Sequence, residues 1–372
     1  MKIIPFETER LLSQWQNRVE YDFTESGVHP IHLNELISRE EYDKLYDDIQ
    51  LRYIQTNGPL PLKEAICSLY DNIDPDNLLV TNASAEANFL ATWHFIEPGD
   101  EIVTFFPTYM QVPGLVESFG GTVKALSLKE EKEWAPDLDE LEAAVTEKTR
   151  FLYLVNPNNP TGAVFSENEM DRIIKIAARY GTWIIADEVY RGAELSGSII
   201  PSFWGKYDRL LVTASLSKGL TAPGLRLGWI AGPKDKVNEL WGYHDYTTIT
   251  TNAISARIAA LALREETRQF ISRRLIGIAT EQLEHLNKWV SEHSDVFRLV
   301  PPKLGGIAFV GYNLDIASTN LVMRIKDEQS VLIVPGDAMG MDGYVRIGYG
   351  NPKLLTGLDR INKTILSLKN GN

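Results

Sequence analysis

The sequence predicts an α/β protein in which a mostly parallel central sheet forms a large domain and a smaller α+β domain follows it. Short apolar runs alternate with helical segments between residues 78 and 231, and this alternation is typical of helices packed on a parallel sheet. Several of the runs are apolar throughout, as expected of strands that are covered on both faces. A chain of 372 residues is also longer than one hydrophobic core usually supports, so two domains are expected.

The predicted large domain covers residues 46–245 and begins with a loop and a short helix that ends near Cys67. The first helix after a strand opens at Asn82-Ala-Ser84, with Asn82 or Ser84 as its N-cap. A capping-box pattern, Ser166-Glu-Asn-Glu169, predicts the start of a helix that runs to Tyr180. The strands are expected at 78–81, 101–106, 122–126, 150–155, 182–186, 209–213 and 225–231, with a further helix at 109–119.

An irregular N-terminal arm, residues 1–45, is expected to join the small domain, because Gly27 and Pro30 interrupt regular structure there. The small domain, residues 246–372, is predicted from a change of pattern: a long helical stretch comes first and short strands come after it. Its helices are expected at 253–289 with a break, at 316–326 and from Lys353 onward, and its strands at 307–310, 331–334 and 344–348.

Composition limits the classes of function. The formal net charge is -13, the isoelectric point is near 5.1 and the mean hydropathy is -0.17. A protein this acidic is not expected to bind nucleic acid or an anionic membrane surface. Cys67 is the only cysteine, and no Cys, His and carboxylate grouping has metal-ligand spacing, so neither disulfides nor a metal are expected. A single cysteine fits a reducing cytoplasm, so a cytoplasmic location is expected. No signal peptide or membrane-spanning run is recognised.

Polar clusters follow three neighbouring apolar strands of the predicted sheet. The first is the segment 156–162, the second is Asp187-Glu-Val-Tyr190, and the third is Ser215-Leu-Ser217-Lys218. Because parallel strands end at one edge of a sheet, we expect the three clusters to share a rim, where ligands of such sheets bind. Lys218 is a candidate nucleophile, since burial and nearby positive charge lower the pKa of a lysine and free its amine.

The types of residue at this rim indicate the ligand. Asp187, at the end of an apolar strand, needs a cation such as a protonated ring nitrogen. The turn at 83–85 offers free N–H groups and a helix dipole to a phosphate, and Ser215, Ser217 and Arg226 add donors and charge. Tyr109 offers an aromatic face and Tyr190 a hydroxyl. Together they predict a site for a planar, phosphorylated, nitrogen-containing aldehyde that a lysine holds covalently.

In this order and spacing, Asn159-Pro-Thr-Gly162, Asp187-Glu-Val-Tyr190, Ser215-Leu-Ser-Lys218 and Arg226 resemble the class I/II aminotransferase family of fold-type I pyridoxal-phosphate enzymes. The resemblance runs from about Ser26 to Gly348. It implies the aspartate aminotransferase-like fold, pyridoxal 5'-phosphate as cofactor, and a homodimer with shared active sites. It further implies transfer of an amino group between an α-amino acid and a 2-oxo acid through an aldimine on Lys218.

The resemblance also implies the role of each site residue. Lys218 would bond the cofactor and move the substrate proton, and Asp187 would keep the pyridine nitrogen protonated. Arg346 would bind the substrate α-carboxylate bidentately. The remaining implied contacts are Asn159 and Tyr190 to the ring 3-oxygen, Tyr109 stacked on the ring, Ser84, Ala85, Ser215, Ser217 and Arg226 to the phosphate, Tyr53 from the second subunit, and Gly27 with Asn159 in the substrate pocket.

Two departures from the family pattern leave the substrate open. Ala83 stands where glycine often stands, and Asp337-Ala-Met339 lacks the usual aromatic residue. His29 and His244 are each open to a structural role or to contact with substrate. The fate of the substrate carbanion also stays open. Some segments resemble cyclases of the capreomycidine-synthase type, so a cyclase, lyase or decarboxylase on the same cofactor is the first alternative. A non-enzymatic effector-sensing regulator is the second, disfavoured because the resemblance leaves no room for a DNA-binding module.

Overall fold

The fold is described by a computed structural model that covers residues 3–369, so the extreme ends of the predicted arm and small domain lie outside it. Within this range the strands are β1 Tyr21–Asp22, β2 Leu78–Thr81, β3 Glu101–Phe106, β4 Thr122–Ser127, β5 Thr149–Val155, β6 Trp183–Asp187, β7 Leu210–Ser215, β8 Gly228–Ala231, β9 Phe297–Leu299, β10 Ile307–Tyr312, β11 Val331–Leu332, β12 Val334–Pro335 and β13 Tyr344–Gly348. The helices are α1 Glu7–Trp15, α2 Leu33–Leu36, α3 Arg39–Asp48, α4 Leu60–Cys67, α5 Ala83–Phe95, α6 Gln111–Ser118, α7 Leu138–Ala144, α8 Glu167–Tyr180, α9 Lys234–His244, α10 Ala253–Ala262, α11 Glu265–Glu292, α12 Ser318–Gln329 and α13 Leu354–Lys369.

A central sheet of seven strands has the order β2-β8-β7-β6-β5-β3-β4. The pairs of β8 with β2 and β7 are antiparallel and the other pairs are parallel. Alternate side chains of each strand enter two different cores. One core packs against α4, α7, α8 and α10, and the other packs against α5, α6 and α9. Helices on both faces of a mostly parallel sheet confirm the predicted α/β class.

Most predicted strands are present, with their ends shifted by a few residues. The exception is the run predicted at 225–231, because Pro223–Leu225 forms a short 3-10 turn and β8 begins only at Gly228. Ser166 caps α8 in a capping box, as its sequence predicts. Asn82 occupies the N-cap position of α5, but its side chain makes no capping hydrogen bond. Its backbone N–H instead donates to Glu86 Oε2 at 2.6 Å.

The N-terminal arm is more regular than its sequence predicts, since α1, α2 and α3 lie within it. Its strand β1 pairs in parallel with β11. The next residue, Phe23, is fully buried in the core formed by α11, α12 and α13. The expectation of an irregular arm was therefore wrong. The helix α1 was missed because Phe6, at its N-cap, offers no side-chain capping bond that a sequence pattern reveals.

The C-terminal part contains a four-stranded antiparallel sheet of order β12-β13-β10-β9. The strand predicted at 331–334 is two short strands in different sheets, because β11 pairs with β1 whereas β12 pairs with β13. Helix α10 packs on α4, and Ala256 and Ala259 share the core of the central sheet. The boundary predicted after residue 245 stays a prediction. Across residues 3–369, no helix combines the length and the apolar character needed to cross a bilayer.

The central sheet brings the three polar clusters to one edge, as expected. Strands β5, β6 and β7 are adjacent and parallel, with Val155 opposite Asp187 and Asp187 opposite Thr213. The chain leaves each of these strands at the same rim. Three segments therefore lie side by side: residues 156–162, residues 187–190, and the lysine loop, residues 215–226.

Candidate active site

A cavity of about 490 Å³ opens at this rim, between the lysine loop, the N-terminal arm and β13. Helix α1 contributes to one wall, which the sequence did not predict. Besides side chains of the arm, the lining includes most of the predicted site residues: Ser84, Ala85, Tyr109, Asn159, Asp187, Tyr190, Ser217, Lys218, Arg226 and Arg346.

Three predicted site residues do not line the cavity. Ser215 lies directly behind it, where its Oγ accepts a hydrogen bond from the N–H of Ser217 at 3.3 Å. Gly27 packs beside the lysine, since a Cβ on it would lie 3.5 Å from Lys218 Cδ. Tyr53 is 78% exposed on the outside of the chain. Its expected contact with the site of a second subunit stays a prediction.

His29 and His244, whose roles the sequence does not decide, do not line the cavity. His29 is half-buried, and its Nδ1 lies 3.4 Å from the carbonyl oxygen of Gly350. His244 is fully buried, with its Nε2 3.1 Å from Thr248 Oγ1 and 3.5 Å from Glu86 Oε2. Both histidines therefore hold neighbouring segments in place in this structure.

Asp187 is buried at the end of β6 and is held entirely by neutral donors among residues 3–369. Its Oδ2 accepts from Asn88 Nδ2 at 2.8 Å and from the hydroxyl of Tyr153 at 3.2 Å, and its Oδ1 accepts from the N–H of Val189 at 3.1 Å. Burial raises the pKa of Asp187, and these hydrogen bonds oppose that shift. A cationic group in the cavity would stabilise the ionised carboxylate.

The first turn of α5 forms one end of the cavity, where unpaired N–H groups and the helix dipole suit an anion. Ala83 enters the helix with φ of 67°, a left-handed conformation. The strand β8 passes so close that a Cβ on Gly228 would lie 2.5 Å from the backbone nitrogen of Ser84. Arg226 closes this end, with its Nη1 donating to the carbonyl of Pro223 at 3.0 Å. The arrangement can hold a phosphate.

Lys218 faces Glu25, a residue of the arm that the sequence did not single out. The two atoms Lys218 Nζ and Glu25 Oε1 are 2.6 Å apart. Burial acts to lower the pKa of Lys218, but the negative charge of Glu25, the proximity of Tyr190 and the hydrogen bond outweigh it, so the pKa is raised. The expectation of a lowered lysine pKa was therefore wrong for the cavity as the chain alone forms it, because it did not include Glu25.

Arg346 is 3% exposed and approaches the cavity from β13. Its Nη1 donates to Asn159 Oδ1 at 3.0 Å and its Nη2 donates to the carbonyl of Thr24 at 2.7 Å. Its Nε and the buried hydroxyl of Tyr190 have no hydrogen-bond partner within residues 3–369. Both residues line the cavity, so a ligand there can supply the missing hydrogen-bond partners.

Two features of the site were not predicted from the sequence: Asn88, and the wall that the arm forms. Asn88 binds Asp187 and also accepts from the hydroxyl of Thr213 at 2.7 Å, which ties α5 to β6 and β7. Its position one helical turn after Ser84 was a usable signal. The arm supplies Glu25, and Phe6 packs edge-on against the ring of Tyr109 at 5.1 Å. No local pattern points to that wall, because its contacts join distant parts of the chain.

The residues present fit pyridoxal phosphate. A lysine amine faces the cavity, a buried aspartate is free to bind a ring cation, and a helix N-terminus with an arginine suits a phosphate. A tyrosine hydroxyl and a guanidinium N–H remain for the ring oxygen and for a carboxylate. The fold and the site together define a pyridoxal-phosphate-dependent enzyme.

Comparison with known proteins gives the family. The chain belongs to the aminotransferase class I and II family, whose model matches residues 36–358. It is 30% identical to an aspartate aminotransferase of Streptomyces avermitilis, over 86% of this chain and 82% of the relative. It is 28% identical to the capreomycidine synthase of Streptomyces vinaceus, over 92% of this chain and 89% of the relative. A crystal structure of a pyridoxal-phosphate-dependent aminotransferase from Streptococcus suis superposes with a TM-score of 0.91, 31% identity and 99% coverage of both chains.

These findings confirm the predicted family, fold and cofactor. The protein is a pyridoxal-phosphate-dependent aminotransferase that acts on an amino acid and a 2-oxo acid.

Proposed function

We propose that Lys218, Asp187 and Arg346 carry the amino transfer in this enzyme. The observation that supports the proposal is their convergence: three charged side chains from the lysine loop, β6 and β13 face one cavity at the rim of the sheet. When bound, pyridoxal phosphate withdraws electrons from the α-carbon of an attached amino acid. The chain's own residues then have to bind, orient and move a proton.

Each of the three residues has a separate task in this proposal. The Nζ of Lys218 would hold the cofactor and, as a free and neutral amine, would take the proton from the substrate α-carbon. Asp187 would keep the ring nitrogen protonated, and Asn88 and Tyr153 fix the orientation of its carboxylate. Arg346 binds the α-carboxylate with the donors that Asn159 and Thr24 leave free, and so fixes which substrate bond is presented.

The other assignments follow from the lining of the cavity. The first turn of α5 with Ser217 and Arg226 would hold the phosphate, and Ser215 would support Ser217 from behind. Tyr190 would donate to the ring oxygen, because its hydroxyl is buried and has no partner within residues 3–369. Tyr109 would cover the ring from the side of α1.

We also propose a homodimer and a cytoplasmic location. Leu51, Tyr53 and Leu60 are 86%, 78% and 56% exposed in one stretch of chain. Exposed apolar side chains at this density mark an interaction surface, and a second copy covering them would bring Tyr53 toward the neighbouring phosphate site. A free cysteine, Cys67, is compatible with a reducing compartment.

A second candidate function is cyclisation or elimination on the same cofactor. It is favoured by the similarity of nearly the whole chain to capreomycidine synthase. Both outcomes require the same first proton transfer at Lys218. They differ only in the fate of the carbon skeleton, which the groups around the substrate side chain decide.

One experiment tests the proposed function and separates it from this candidate. The loaded enzyme is mixed with an amino donor and no 2-oxo acid, and the absorbance of the cofactor is followed. Amino transfer predicts stoichiometric conversion to the aminated cofactor with one equivalent of 2-oxo acid released. Ammonia release, or turnover that continues without a 2-oxo acid, would exclude it. Lys218→Ala should lose the covalent bond to the cofactor, seen as no mass adduct after borohydride reduction, whereas the surface variant Lys288→Ala should keep it.

A further inference from the structure

The carboxylate of Glu25 is built into the cavity on a fixed backbone. The segment of the arm that carries it lies directly against β13, since the N–H of Gly348 donates to the carbonyl of Phe23 at 2.8 Å. A Cβ on Gly348 would lie 2.0 Å from the carbonyl oxygen of Glu25, so the two backbones are in direct contact. The neighbouring carbonyl, of Thr24, accepts from Arg346. The position of Glu25 is therefore set by the same arginine that is proposed to bind the α-carboxylate.

The carboxylate of Glu25 is held by the charged amine of Lys218 and by one backbone N–H group. Its Oε1 lies 2.6 Å from Lys218 Nζ and 2.9 Å from the N–H of Ser26. The side chain is 43% exposed, and that exposed area faces the cavity, whereas Lys218 is 16% exposed. The positive charge of Lys218 is the main reason that the pKa of Glu25 is lowered. As long as the lysine is an ammonium ion, the two charges are balanced.

During amino transfer, the charge of Lys218 no longer neutralises the charge of Glu25. A lysine that accepts a proton from the substrate has to be a neutral amine, and a neutral amine does not neutralise a carboxylate. The other cations that line the cavity within residues 3–369 are Arg226 and Arg346, which face the phosphate and the α-carboxylate. Glu25 is then left without a counter-ion, next to a lysine whose protonated form it stabilises. A partly desolvated carboxylate in that state is unfavourable.

We propose that Glu25 is a specificity-determining residue and that the amino donor carries a positively charged side chain, an amine or a guanidinium. The cationic side chain of the substrate would pair with Glu25, and the α-carboxylate of the substrate would pair with Arg346. Because it replaces the ammonium of Lys218 as the partner of Glu25, a cationic substrate also releases the lysine as a neutral base. A substrate with a side-chain carboxylate would be repelled by Glu25.

A second acid at the mouth of the cavity agrees with this charge pattern. Glu9 of α1 lines the same cavity and accepts from the hydroxyl of Tyr109 at 3.3 Å. It adds a second negative charge to the lining of the cavity. Glu9 and Glu25 are distinguished by separate variants.

The test uses equilibrium binding, so that it does not depend on turnover, and it rests on the proposed function only through Arg346. The full-length enzyme loaded with pyridoxal phosphate is titrated in a calorimeter with three acids that lack an α-amino group: 5-guanidinopentanoate, hexanoate and adipate. We expect 5-guanidinopentanoate to bind about tenfold or more tightly than hexanoate, the order of a hydrogen bond to a charged group, and adipate to bind most weakly. Glu25→Gln should abolish the preference and leave hexanoate binding unchanged. Glu9→Gln and the exposed arm variant Glu40→Gln should retain it.

Several outcomes would overturn the proposal. Equal binding of the guanidino acid and hexanoate, tighter binding of adipate, or a preference that survives in Glu25→Gln and disappears in Glu9→Gln would each exclude Glu25 as the specificity residue. The two proposals fail separately. If Lys218→Ala keeps a covalent cofactor, the proposed function is wrong whatever the acids show. If the cofactor is held by Lys218 and hexanoate binding depends on Arg346, only the role of Glu25 is in question.

Discussion

At the scale of single residues, Arg346 shows how a buried cation is kept ready for a ligand. Two of its nitrogens are bound by Asn159 and Thr24, and its Nε is unpaired. The bound nitrogens fix the plane of the guanidinium, and the free donors of that plane match the two oxygens of a carboxylate. A lysine at position 346 would keep the positive charge but would lose the planar set of hydrogen-bond donors.

Arg346→Lys is therefore expected to lower kcat/KM for the amino donor by about 30- to 1,000-fold, which corresponds to about 2–4 kcal/mol for a truncated buried charge pair. The measurement is single-turnover kinetics over a range of donor concentrations. Affinity for pyridoxal phosphate should be unchanged, because Arg346 is not assigned to the cofactor. An amine without a carboxylate, such as butylamine, should react equally with both proteins. A defect that is equally large with butylamine would contradict the assignment.

Sequence reasoning at this scale succeeded where a residue belongs to a continuous motif. Lys218, Asp187 and Asn159 each stand in a short string whose composition already indicates a site. It failed for Glu25 and Asn88, whose partners lie 193 and 99 residues away. The electrostatics of Lys218 were predicted in the wrong direction for the same reason. The pKa of a buried group depends on neighbours that only the fold provides.

At the scale of elements, the start of α5 is the most constrained part of the site. Ala83 adopts a left-handed conformation that costs a residue with a Cβ about 1–2 kcal/mol. It is held there by β8, which runs against it with no room for a side chain on Gly228. The helix start can present its N–H groups to a phosphate only while the strand stays in this position.

Gly228→Ala is expected to weaken cofactor binding and to lower the melting temperature. The added Cβ would lie 2.5 Å from both Ala83 C and Ser84 N and 2.7 Å from Ala214 O, all of them backbone atoms that cannot rotate away. Fluorescence titration with pyridoxal phosphate and a thermal melt of the cofactor-free protein measure the two effects.

Gly277→Ala in the middle of α11 is the matched control, because nothing lies within 4 Å of its Cβ. That change should be neutral or stabilising by about 0.5–1 kcal/mol. Normal cofactor affinity in Gly228→Ala would show that the close approach does not shape the phosphate site.

The same helix turn depends on a buried carboxylate. Glu86 accepts from the N–H of Asn82 and from the hydroxyls of Thr247 and Thr248, and His244 lies beside it. Burial alone would raise its pKa, but these hydrogen bonds outweigh burial and lower the pKa from 4.5 to about 2. Because the pKa is lower in the folded state, the stabilisation is complete above pH 4.5 and is lost as the pH falls toward 2.

Glu86→Gln should therefore destabilise the cofactor-free protein most at neutral pH, by up to about 3 kcal/mol. The difference in melting temperature between wild type and variant should narrow between pH 5 and pH 3, as the wild-type carboxylate starts to take up its proton. Scanning fluorimetry across this range measures it. Glu284→Gln, on the exposed face of α11, should show no such trend. A difference that stays constant with pH would mean that packing, and not charge, accounts for the loss.

At the scale of the whole molecule, the sequence was informative about the order of elements and less so about how the two ends of the chain meet. The alternation of strands and helices predicts the central sheet, because each strand has a local pattern. The arm does not have one: β1 has two residues and gains its regularity only by pairing with β11. Phe6 and Glu9 reach the cavity because α1 packs near the 3-10 turn at Asp337–Met339, where Thr8 Oγ1 donates to the carbonyl of Ala338 at 3.1 Å.

The proposed homodimer makes a prediction that a single chain cannot satisfy. If Tyr53 completes the phosphate site of the neighbouring subunit, a site needs Lys218 from one chain and Tyr53 from the other. Lys218→Ala should be inactive, and Tyr53→Ala should have little activity at limiting pyridoxal phosphate. Co-expressed with different tags, the two variants should form mixed dimers in which one of the two sites is intact. With random pairing, about a quarter of wild-type activity should return. Purification through both tags should enrich the mixed dimer further, and sedimentation should show one dimeric species.

If the mixture has only the summed activity of the separate variants, each site is built from one chain. Tyr53 would then belong to the surface of its own subunit, and the exposed stretch around Leu51 and Leu60 would need a different partner.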